Sequence, residues 1–116
     1  MKWYERYLQK DNEALVRVLE SPEDYQNEVL LVAREILDDR QIPFEQLQNL
    51  ARDFQRKQIS NMLNTLDPLN DELRIPYSYF LNREEVKELL QEEFKKFLSD
   101  KDAFRFDVWK YAIGGL

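Results

Sequence analysis

Along most of this chain apolar residues recur at three- and four-residue intervals, the repeat that lines one face of a helix. Between about Gln26 and Arg40, the stripe Val29, Val32, Ala33, Ile36 and Leu37 predicts a helix facing a core. Arg40 falls in its last turn, where a cation suits the helix dipole. Pro43 then holds Ile42 extended and opens the next helix, which the pattern carries to about Leu66. Phe44, Leu47, Leu50, Ala51 and Phe54 mark one face of it. After the polar stretch 55–58, Ile59, Met62, Leu63 and Leu66 resume slightly out of phase, which allows a bend or break near residues 57–60.

The first segment, Lys2 to about Glu20, sets Trp3, Tyr7, Leu15, Val18 and Leu19 among charges. Asp11 or Asn12 is placed to cap a helix running to Glu20, with the aromatic stretch before it as a separate helical turn. The strongest start signal comes later. Asn82 as cap with Glu85 three residues on is a capping-box variant, and Leu81 and Val86 are spaced as a hydrophobic staple. That helix should reach about Ser99, with Val86, Leu89, Leu90, Phe94, Phe97 and Leu98 inward. A short final helix is predicted from the cap Asp107, carrying Val108, Trp109, Ala112 and Ile113 to a stop at Gly114. Residues 67–80 form the loop between the two long helices. The expected fold is therefore all-α, an irregular bundle of four main helices plus a short C-terminal helix in one domain over 1–116. Ile36, Leu37, Phe54, Leu90, Phe94 and Phe97 should be largely buried in it.

Composition supports this class. Only two glycines and the single threonine Thr65 occur, so the turn chemistry of an all-β domain is missing. With 116 residues, 43% of them hydrophobic, the chain can bury one core unaided. It has no histidine and no cysteine, which removes the usual general base, zinc ligands and thiol nucleophile. Its four serines have no histidine to activate them. No disulfide framework, no signal-peptide core at the N-terminus and no run of 18 apolar residues point to a cytoplasmic protein without a membrane span. The net charge of −6 is shared evenly, −3 in each half, which makes nucleic acid an unlikely partner.

Candidate chemistry is thin. Glu84, Glu88 and Glu92 form a carboxylate row on one helix face, but interleaved lysines make it read as a solvated surface. Asp67 to Glu72 is rich in oxygen ligands yet lacks the central glycine and spacing of a calcium loop. Arg52, Arg56 and Lys57, with Gln48, Gln55 and Gln58, make a small basic face on an acidic protein. No catalytic residue, metal or cofactor is expected. The leading reading is a non-enzymatic protein-binding module, in one version an inhibitor or immunity-type protein that masks a basic partner. Its contact surface should comprise Arg74, Tyr77 and Tyr79 on the loop, stiffened by Pro76, with Trp109 and Tyr111 near the C-terminus. The alternative is a small-ligand protein or enzyme using a carboxylate or tyrosine in a helical pocket, drawn from Tyr25, Arg74, Tyr77, Tyr79 and Glu93.

Tyr25-Gln26-Asn27-Glu28, followed by Ala33, Leu37 and Arg40, resembles a Y-x-x-E-x-x-x-x-A-x-x-x-L-x-x-R helical segment of uncharacterised bacterial proteins. The resemblance covers residues 25–42 and departs at Gln26-Asn27, where such segments often carry Ser-Pro. It implies a bacterial origin and carries no activity.

Overall fold

The computed structural model describes residues 2–67 and 73–99, which form an all-α fold. The first predicted segment divides into α1 (Lys2–Leu8) and α2 (Asn12–Glu20), followed by a 3-10 turn over Pro22–Asp24. Then come α3 (Asn27–Asp39), α4 (Phe44–Thr65) and α5 (Arg83–Ser99). The short helix expected from Asp107 lies outside the described residues, as does most of the Asp67–Glu72 stretch. Helices α1 and α2 both pack on α3, α2 also packs on α4, and α4 carries α5.

Local chemistry explains these boundaries. Asp11 is the cap of α2, its Oδ1 accepting the Ala14 amide at 2.8 Å. Both reciprocal bonds of the capping box form at α5: Asn82 Oδ1 accepts from Glu85 N at 2.8 Å, and Glu85 Oε1 accepts from Asn82 N at 3.2 Å. Leu81 and Val86 are buried together as the staple requires. Arg40 behaves differently from the dipole role its position suggests. Its guanidinium reaches away from α3 and donates to the Leu8 and Lys10 carbonyls and to Asn12 Oδ1, at 2.8–2.9 Å. It thereby satisfies carbonyls at the end of α1 and fixes the α1–α2 corner.

The core joins Leu15, Val16, Val32, Ile36, Ile59, Leu63, Val86 and Leu90, each at most 2% exposed. Ile36, Leu37, Leu90, Phe94 and Phe97 are buried as their stripes predict. Two assignments on α4 need correction. Phe54 is half-buried rather than core, and Phe44 is 60% exposed. The predicted break near residues 57–60 is also absent, since α4 is one continuous helix. The buried line on α4 is Leu47, Ala51, Gln55, Ile59 and Leu63, a strict four-residue repeat. Gln55 supplies the missing link between two stripes that seemed out of phase, because a polar residue occupies a core position.

Gln41, just past α3, has φ 54°, the left-handed conformation that commonly ends a helix and is usually left to glycine. Its side chain is exposed. Gln41→Gly should therefore raise stability by about 1 kcal/mol, the cost of a left-handed Cβ. A lower urea midpoint for this variant would show that the glutamine side chain has a compensating contact.

Candidate functional site

Residues 73–82 cross the bundle without regular secondary structure. Such a stretch must find partners for its backbone polar groups, and here a buried carboxylate provides them. Glu20, the last residue of α2, is only 4% exposed. Its Oε1 accepts the Ser78 hydroxyl at 2.7 Å. Its Oε2 accepts the Tyr79 amide at 2.8 Å and Gln55 Nε2 at 3.3 Å. Gln55 Nε2 also donates to the Tyr77 carbonyl at 2.9 Å, and Ser78 Oγ accepts the Leu81 amide at 3.1 Å. One cluster thus ties α2, α4 and the crossing segment together.

Among the described residues no Lys or Arg forms an ion pair with Glu20. At a helix C-terminus the dipole gives a carboxylate no help either. Burial pushes its pKa above the ordinary glutamate value, opposed by hydrogen bonds from Ser78, Tyr79, Gln55 and Phe80. The Tyr77 hydroxyl is also raised, first by burial and then by the nearby Glu20, Tyr79 and Glu23 charges. Among the described residues, one buried side-chain polar atom has no hydrogen-bond partner, Gln55 Oε1.

Above this cluster two aromatic side chains turn outward. Tyr77 is 57% exposed and Tyr79 39%. Phe80 is buried beneath them, edge-on to Tyr79 at 4.8 Å and tilted against Phe44 at 6.3 Å between ring centroids. Gln48 Nε2 donates to the Phe80 carbonyl at 3.2 Å. Phe44 and Tyr79 therefore flank the buried Phe80 in one aromatic cluster with its two outer rings exposed, and of these two only Tyr79 was named from the sequence as a contact residue. The signal that was missed is position. Phe44 is the first residue of its helix, where the apolar stripe runs past the edge of the core.

Arg74 is exposed on the same segment. Trp109 and Tyr111, the other two residues assigned to the surface, lie outside the described residues. Beside the segment a shallow pocket of about 250 Å³ is lined by Ile75, Pro76, Tyr77, Leu81, Val86 and Arg83, among others. Of the residues proposed for a ligand pocket it draws in only Tyr77, and the shifted carboxylate is Glu20, outside that set.

The remaining candidates fall apart in space. Glu84, Glu88 and Glu92 are exposed. Among the described residues no group of three or more acidic, histidine or cysteine side chains could hold a metal ion. The basic face on α4 is divided: Arg52 pairs with Glu85 of α5 at 3.0 Å, Arg56 pairs with Asp53 at 3.5 Å, and Gln55 is buried. Among the described residues no helix is long and apolar enough to cross a membrane. No family model, curated protein or solved structure matches the chain.

Proposed function

We propose that the protein is a non-enzymatic, cytoplasmic protein-binding module that engages its partner through the Arg74–Phe80 segment and the neighbouring Phe44. One observation carries this reading: Tyr77 and Tyr79 are exposed on a backbone fixed from beneath by Glu20 and Gln55. Exposed tyrosines on a segment already ordered cost little conformational entropy on association, and tyrosine and arginine are enriched among interface hot spots. Trp109 and Tyr111 are assigned to the same surface on sequence grounds. The net charge of −6 favours a basic partner, since complementary charge accelerates encounter. An inhibitor or immunity-type role fits that chemistry. The ion pairing of Arg52 and Arg56 supports a protein partner over nucleic acid.

A ligand-binding role has one supporting observation, the pocket beside Tyr77. At about 250 Å³ and open to solvent, it falls below the usual small-molecule range of about 300–1,000 Å³.

The test is capture of a partner from lysate at low salt, followed by affinity measurement with the identified protein. Tyr77→Ala together with Tyr79→Ala should weaken the complex by about 30-fold or more, the loss of one hot spot worth about 2 kcal/mol. The melting temperature should be nearly unchanged. Wild-type protein that recovers nothing above background, or a double variant that binds as tightly as wild type, would remove the reading.

A further inference from the structure

The cluster beneath the exposed tyrosines holds two features that stability alone does not require: a buried carboxylate with no cation and a buried acceptor with no donor among the described residues. They are adjacent on the same two side chains. With Glu20 ionised, the orientation of the Gln55 amide is dictated. Both groups in front of it, Glu20 Oε2 and the Tyr77 carbonyl, are acceptors, so Nε2 must face them and Oε1 is turned away without a partner.

We propose that Glu20 and Gln55 form a proton-operated latch on the Tyr77 segment. When Glu20 takes up a proton its carboxyl becomes a donor, and Gln55 Oε1 is the acceptor in the cluster with no donor of its own. Pairing the two requires the Gln55 amide to turn over. That turn withdraws Nε2 from the Tyr77 carbonyl, which is then left to water. The Tyr79 amide keeps its bond to the carboxyl. Protonation therefore releases Tyr77 while Tyr79 stays held, and the aromatic surface acquires two arrangements. Burial of the carboxylate, which raises its pKa, brings the change toward milder acidity.

Among the described residues, Glu23 on the 3-10 turn and the Tyr79 phenol act on Tyr77 alongside Glu20, while α4 contributes the neutral Gln55 to the cluster. Glu23 must be separated from Glu20 by experiment, because its charge also acts on Tyr77.

The test uses the free protein and needs no partner, so it stands apart from the binding reading. Carbon and nitrogen NMR between pH 7.5 and 4 would follow the Glu20 carboxyl, the Gln55 side-chain amide and the Tyr77 carbonyl. All three should move with one midpoint, above the ordinary glutamate range, and Glu23→Gln should leave that midpoint in place. Glu20→Gln, which has no proton to take up in this range, should abolish the joint shift of the Gln55 and Tyr77 signals. Gln55→Met should leave Glu20 titrating but abolish the response of the Tyr77 carbonyl. A Glu20 titration in wild type that leaves the Gln55 amide and Tyr77 carbonyl unmoved would overturn the latch, with the proton residing instead between Glu20 and Ser78 Oγ.

Discussion

Leu90→Ala is expected to destabilise the fold by about 2–5 kcal/mol, the usual range for removing a buried leucine side chain. Leu90 is fully buried on α5, the helix that packs against α4 alone among the well-formed helix contacts. The cavity left there would be walled by other core side chains that cannot collapse without shifting α5. Phe54→Ala should cost less, although it deletes more atoms, because Phe54 is half-buried and outside the core cluster. Urea unfolding with unchanged m-values would measure both. A larger loss for Phe54→Ala, or losses below about 1 kcal/mol for both, would mean that the packing of α4 differs from that described.

That contrast shows where the sequence was legible. Helix α5 could be read almost residue by residue, because its cap, staple and apolar stripe all agree and the structure forms the cap and buries Leu81, Val86, Leu89, Leu90, Phe94 and Phe97, the Leu98 side chain lying outside the described residues. Helix α3 was equally clear, since five apolar residues at helical spacing leave one choice of face. Helix α4 was read correctly in extent but incorrectly in rotation. A hydrophobic pattern cannot include Gln55, and without it Phe44 and Phe54 draw the apparent face away from the true line through Leu47, Ala51, Ile59 and Leu63. The same blindness hid the latch. Glu20 and Gln55 are residue types that normally face water, and only the return of a distant segment over both of them turns them inward. Their contacts with Tyr77, Ser78 and Tyr79 span 22 to 59 residues of chain, a separation no local pattern encodes. Tyr77 and Tyr79 could be named from the sequence as candidates for a contact surface, but whether their rings face solvent or the core could not, and both are exposed. Burial of their neighbour Phe80 depended on α4 lying beneath it.

Glu20→Ala should be the most damaging single change at the candidate site, costing about 3 kcal/mol at neutral pH. It strands the Tyr79 amide and the Ser78 hydroxyl without their acceptor, each worth about 1–3 kcal/mol when buried and unpaired, and leaves Gln55 Nε2 only the Tyr77 carbonyl, against which relief of the buried charge is a partial offset. Glu20→Gln should behave quite differently. Its single carbonyl oxygen replaces only one of the two carboxylate oxygens; in the place of Oε2 it still accepts from the Tyr79 amide and Gln55 Nε2, its NH2 then faces Ser78 Oγ, and no charge is buried, so its stability should be close to that of wild type at pH 7. The two proteins should also diverge with pH. Folding raises the Glu20 pKa above its ordinary value of 4.5, so between 4.5 and the folded value the folded state holds a proton that the unfolded chain has released. The contribution of Glu20 to stability therefore grows as the pH falls through the folded pKa and is complete below 4.5, the reverse of a carboxylate held by a cation. Unfolding free energies of wild type and Glu20→Gln, measured in parallel from pH 7.5 to 4, isolate this group because every other carboxylate is common to both. Wild type should gain on the variant as the solution is acidified. A constant difference across that range would mean that Glu20 titrates alike in the folded and unfolded chain, and that its burial carries no energetic penalty.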